Sequence, residues 1–165
     1  MTDFEGLLNV LQSAGVDFIL VGGMAGIAHG AARLTYDVDI VYERSPKNIQ
    51  CLVNALQPLN PYLRGAPAGL PFRWDAEMVG NGLNFTLTTK LGDLDILGEI
   101  SGGGGYHDLI AYTTMIEVEQ APCRCLNLEK LIQVKRAAAR KKDLEAIAEL
   151  EALLEERDRD STDQP

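Results

Sequence analysis

Nowhere in the chain do about 18 apolar residues run together, so no segment is expected to span a bilayer. Cysteine is scarce. Cys51, Cys123 and Cys125 form an odd set without CxxC spacing, which argues against a disulfide frame and a four-ligand zinc site. Basic residues are also few, 15 Lys+Arg against 24 Asp+Glu, for a formal net charge of −9. Non-specific grip on nucleic acid depends on Lys and Arg neutralising phosphates, so duplex DNA is not an expected partner. A small polyanion held in a local basic pocket or through metal ions stays open. The opening Met1-Thr2-Asp3-Phe4-Glu5 lacks a basic stretch before its apolar run. No signal peptide is therefore expected, and a reduced, cytoplasmic setting is.

What is present suffices for one core. Of 165 residues, 46% are apolar although only 6% are aromatic, and a chain near that length buries roughly 68–70% of its unfolded surface. One domain over residues 1–157 is expected, with 158–165 as a loose polar tail. Phe4, Leu7, Leu8 and Leu11 recur at helical spacing before Gly15. Asp17 to Val21 reads as a buried strand, and Met24 to His29 as a short helix closed by Gly30. Asp37 to Tyr42 alternates carboxylate and apolar residues, the period-two pattern of a strand. Pro46 suits a helix start, with Ile49, Leu52, Val53 and Leu56 as its apolar stripe. Four prolines make 58–72 an irregular connection. Phe85–Lys90 and Asp93–Leu97 read as a hairpin around Leu91-Gly92, and Ile116–Val118 and Cys123–Leu126 as a second around Ala121-Pro122. From Leu128 to about Arg157 the pattern is helical, with Asn127 as N-cap. The fold class implied is α+β, a mixed sheet flanked by helices with a long C-terminal helical segment.

The segment VGGMAGIAHGAARLTYDVDIVYE, residues 21–43, carries the chemistry. Residues two apart on a strand share a face, so Asp37 and Asp39 project together about 6–7 Å apart at Cα, while Val38 and Ile40 turn to the core. Parallel carboxylates repel unless a cation lies between them. Hard oxygen donors of this kind suit Mg²⁺, which takes one or two protein carboxylates plus substrate phosphates. An isolated DxD is more often a strand with one solvated face. Here, however, a buried strand ends upstream in Gly22-Gly23 and opens a helix, where free backbone N–H groups can meet an anion.

Gly22-Gly23 followed by Asp37-Val38-Asp39 resembles the signature of the DNA polymerase β-type nucleotidyltransferase superfamily. The fuller pattern GGxAxxxHG…RxTxDxD is similar to small nucleotidyltransferase-like proteins of the abortive-infection and toxin–antitoxin type. Many members carry Gly-Ser where this chain has Gly22-Gly23, so one hydroxyl that could contact phosphate or metal is missing. The resemblance implies a third carboxylate on a later strand. Asp93 and Asp95 are the candidates, and Asp95 is preferred because Leu94, Ile96 and Leu97 embed it in the strand body. It also implies that Lys135 and Arg140, in a basic cluster over 130–142, contact nucleotide phosphates or acceptor. Arg33 and Thr35 either touch phosphate or brace the turn before the strand.

By that resemblance the chain is a nucleotidyltransferase, moving a nucleoside monophosphate from an NTP, ATP first among them, to an acceptor hydroxyl. Asp37, Asp39 and Asp95 are the catalytic and metal-holding residues, with Mg²⁺ or Mn²⁺ as cofactor. Gly22, Gly23, Arg33, Thr35, Lys135 and Arg140 hold the nucleotide. The acceptor is tRNA, a protein or a small molecule, and a cognate antitoxin or a second copy of the chain is a further partner. The alternative is a non-catalytic nucleotide- or partner-binding module that keeps the fold. DVDIV also superficially fits the DxDx(T/V) of haloacid dehalogenase-type phosphatases, but there the aspartates end a hydrophobic strand, whereas Arg33-Leu34-Thr35-Tyr36 precedes them here.

Overall fold

A computed structural model describes residues 1–138 and 143–163. Helix α1 (Phe4–Ser13) starts where the Asp3 carboxylate accepts from the Gly6 amide at 2.8 Å. It leads to β1 (Phe18–Val21), α2 (Gly22–Ala28) and β2 (Asp37–Tyr42). Ser45 caps α3 (Pro46–Leu56), with proline in the first turn where a missing N–H costs nothing. A short 3₁₀ turn, β3 (Tyr62–Leu63), α4 (Ala76–Asn81), β4 (Asn84–Thr89) and β5 (Gly92–Leu97) follow. Then come β6 (Glu99–Ile100), β7 (Gly104–Gly105), α5 (Tyr106–Leu109), β8 (Thr113–Val118) and β9 (Ala121–Leu126). Helices α6 (Leu128–Ala137) and α7 (Leu144–Thr162) complete the described chain.

The main sheet runs β3-β4-β5-β2-β1-β9-β8. It is mixed: β2 pairs antiparallel with β1 and parallel with β5. The α1 and α3 helices pack on one another, while α2 contacts both β1 and α6. The apolar partners in β2, Val38 and Ile40, are fully buried, as are Leu94 and Ile96 in β5 and Leu7, Leu11, Leu52 and Leu56 in α1 and α3. That alternation leaves the intervening aspartates of β2 and β5 on the opposite face. Among the described residues no helix is long and apolar enough to cross a membrane.

Three local expectations are corrected. The second hairpin turns at Glu119-Gln120, both with positive φ, and not at Ala121-Pro122. Two positive-φ residues match the twist of a two-residue hairpin. Pro122 is tolerated inside β9 because β9 meets β1 only at the Leu20–Cys125 pair, and the Pro122 carbonyl accepts from Gln12 Nε2 at 2.6 Å instead. The C-terminal segment is two helices, since α6 ends at Ala137 and α7 begins at Leu144. Finally, α7 continues through Thr162, so most of the polar stretch expected to be loose is helical. Thr162 Oγ1 donates to the Asp158 carbonyl at 3.2 Å, and Arg157 pairs with Glu129 on α6, which ties that last part down.

Candidate active site

Strand register assembles the site. Val21, the last residue of β1, lies opposite Asp39, and Asp39 lies opposite Asp95 across the parallel β2–β5 pair. Asp37 stands opposite Asp93 one pleat away. Carboxylate oxygens of Asp37, Asp39 and Asp95 come within 4.8 Å of one another. The third carboxylate of the cluster is thus Asp95, while Asp93 stands beside it.

Burial and crowding oppose ionisation here. The Asp39 carboxyl is pushed up to about 8 by burial first, then by the negative charges of Asp37 and Asp95, with Lys135 opposing. Asp95 is also raised, chiefly by burial, against the pull of its hydrogen bond with Asp39 and of Arg64. Three hard oxygen donors gathered this closely are a set that could hold a divalent cation, and the residues fit such an ion.

Gly22 and Gly23 complete one wall. Gly22 has φ +68°, and a Cβ there would overlap the Asp39 carboxylate, so the left-handed backbone and the close approach both require glycine. A Cβ on Gly23 would come 2.7 Å from Thr35 Oγ1. The threonine hydroxyl therefore lies against the position from which a serine at 23 would extend. Thr35 Oγ1 also lies 3.4 Å from Asp37 Oδ1, so it braces the carboxylate from the preceding loop.

A cavity of about 390 Å³ opens beside the trio, lined by Gly22, Gly23, Asp39, Asn84, Lys135 and Asp143 among others. Ile100 and Ser101, at the end of β6, contribute to the same wall. Lys135 is thus brought to the glycine pair and Asp39. Arg33 reaches toward the same region but is engaged by α7, 3.1 Å from Glu145 and 3.2 Å from Glu149. Arg140 lies outside the described residues. His29, in the motif that suggested the resemblance, closes α2 with its Nε2 2.7 Å from the Leu126 carbonyl.

Arg64 was invisible to sequence reasoning. Its guanidinium lies among the carboxylates, 2.8 Å from Asp95, 3.3 Å from Asp93 and 3.5 Å from Asp37. It follows β3, within the proline-rich connection that carries no periodicity.

The mixed sheet with helices around it is a fold shared with solved nucleotidyltransferases. Two solved structures are similar over nearly the whole chain. One is the lincosamide antibiotic adenylyltransferase LnuA in its lincomycin-bound form, 16% identical, with a TM-score of 0.61 over 93% of this chain and 98% of that one. The other, from Thermotoga maritima and described as a nucleotidyltransferase, is 16% identical with a TM-score of 0.51 over 94% of this chain and 96% of that one. No family model and no curated protein sequence matches the chain.

Proposed function

We propose that the chain is a divalent-cation-dependent nucleotidyltransferase that moves a nucleoside monophosphate from an NTP to an acceptor hydroxyl. The observation that carries this is the meeting of Asp37, Asp39 and Asp95 beside a cavity walled by Gly22, Gly23 and Lys135. Asp37 and Asp39 would hold the cations together with Asp95. Bound there, Mg²⁺ or Mn²⁺ would draw negative charge from the phosphates and activate the attacking oxygen.

The protein's own groups supply position and charge. Backbone at Gly22-Gly23 lets phosphate come close, and Lys135 balances it with a point charge. Thr35 keeps Asp37 aimed. Asp95 lies one strand further from the glycine pair than Asp39, so it faces the acceptor and takes the proton of the attacking hydroxyl. The new bond joins that oxygen to the α-phosphorus, the bond to the β-phosphate oxygen breaks, and pyrophosphate leaves. Phosphoryl chemistry of this type rests mainly on positioning and electrostatic stabilisation.

ATP is the first donor to test, and a small molecule the first acceptor. LnuA, named as an adenylyltransferase and solved with lincomycin, is matched over 98% of its length, which supports that order of testing. A tRNA or protein acceptor, and a toxin–antitoxin pairing, are the other outcomes of the same assay. Purified protein is incubated with each α-labelled NTP, Mg²⁺ and fractionated lysate. Label from ATP is expected in a small-molecule fraction, with none above background for Asp37→Asn. Conversion of the labelled NTP to free NDP or NMP with no label on any acceptor would point to hydrolysis and overturn the reading.

A further inference from the structure

Arg64 neutralises residues that the proposed chemistry needs for metal. Its Nη2 is 2.8 Å from Asp95 Oδ1, its Nη1 3.5 Å from Asp37 Oδ2 and its Nε 3.3 Å from Asp93 Oδ2. Three carboxylates on two strands thus each receive one nitrogen, and none is gripped by two. Arginine forms its strongest pairs when its fork meets one carboxylate in bidentate fashion. Spread over three partners, it acts as a distributed counter-charge.

The anchoring of the head is correspondingly incomplete. Nη2 also donates to the Leu87 carbonyl at 2.8 Å, but Nε is buried without an aligned hydrogen-bond partner among the described residues. A buried donor left without a partner costs free energy. The backbone next to it is held, because the Arg64 amide donates to the Thr86 carbonyl at 3.0 Å. The main chain is fixed at the edge of β4, and the long side chain carries the freedom. Its side chain keeps 27% of its surface exposed, which leaves a path outward.

We propose that Arg64 is the resident counter-cation of this carboxylate cluster, competing with divalent cations for Asp37 and Asp95 and giving way when metal-bound nucleotide enters. The inference rests on the metal-binding reading of those aspartates. Arg64 takes one oxygen of each aspartate, and a guanidinium and a divalent ion repel at such distances, so each weakens the hold of the other on these carboxylates. Asp93, outside the trio, remains as the partner to which the displaced head can return. Free metal therefore binds weakly, and metal that arrives with a triphosphate binds well.

The test is Mn²⁺ binding to the nucleotide-free full chain, followed by the paramagnetic resonance signal of free Mn²⁺. Wild type, Arg64→Gln, Arg64→Lys and Asp37→Asn are compared, with melting curves for each in Mn²⁺ and in EDTA. Arg64→Gln is expected to bind Mn²⁺ at least about tenfold more tightly than wild type, with Arg64→Lys in between. Its melting temperature should fall in EDTA and recover in Mn²⁺, a recovery that a purely structural arginine would not produce. Should Arg64→Gln fail to fold in EDTA, the gain in Arg64→Lys alone decides. Equal or weaker Mn²⁺ binding in the variants, with Asp37→Asn still abolishing it, overturns the role of Arg64 and leaves the metal site standing. Binding that ignores Asp37→Asn overturns both.

Discussion

Asp39→Asn should reduce nucleotide transfer by at least about 10³-fold and, in EDTA at pH 8, melt at a higher temperature than the wild type. The loss follows from removing a carboxylate at the centre of the trio. The gain in stability follows from linkage. The folded-state carboxyl titrates at about 8 against an ordinary 3.8, because burial and then Asp37 and Asp95 oppose its ionisation. The folded protein therefore holds this proton more tightly than the unfolded chain does. Its contribution is fully present below pH 3.8 and is lost as pH rises through about 8. Asparagine keeps the shape and carries no charge, so the variant escapes that loss. Each kcal/mol of relief is worth roughly 2–4 °C for a chain of this size, so the variant should melt several degrees higher. Melting curves from pH 4 to 9 should show the two proteins converging at the acid end and separating toward alkaline pH. A variant less stable than wild type at pH 8 would mean that the aspartate is compensated in the folded state, against the crowding described above.

The second large effect is expected at the glycine pair. Gly22→Ala should cut transfer by about 10²-fold, since the positive φ strains any side chain and the added methyl displaces the Asp39 carboxylate. Gly23→Ser is a finer case. Its Cβ would press on Thr35 Oγ1 from 2.7 Å, and Thr35 in turn braces Asp37. The single substitution should lose about tenfold in kcat/KM through that brace. Thr35→Ala alone should lose a similar amount. The double variant Gly23→Ser, Thr35→Ala should recover most of it, because the serine hydroxyl then occupies the vacated place. Additive losses in the double variant would show that the two hydroxyl positions are not equivalent, and that Thr35 does something other than replace the serine of related motifs.

Much of this geometry was readable before any coordinates. The alternation Asp37-Val38-Asp39-Ile40 marked β2 to its ends, since its core-facing residues are fully buried. Asn127 and Pro46 marked two helix starts through their capping chemistry. Asp95 could be preferred over Asp93 from its apolar neighbours, but the parallel β2–β5 register that brings it opposite Asp39 is a long-range fact with no local trace. Arg64 was hidden for the same reason. Its partner Asp95 is 31 residues away, and β3 is two residues long, too short to show any alternation. The turn at Glu119-Gln120 lacks the glycine or asparagine that usually announces positive φ, whereas Pro122 nearby suggested a break that β9 does not make. The apolar spacing of α6 and α7 reads as one helix because each separately buries a stripe, Leu131 and Ile132 in one and Ile147 and Leu150 in the other. Periodicity reports the faces of helices and says little about where one ends and the next begins.

Calorimetric titration of ATP into wild type and Asp37→Ala, each in Mg²⁺ and in EDTA, bears most directly on the metal-centred site. Binding to wild type in Mg²⁺ that disappears in EDTA, and is missing in a folded Asp37→Ala protein under both conditions, is the expected result. ATP binding of equal strength in all four titrations would contradict it.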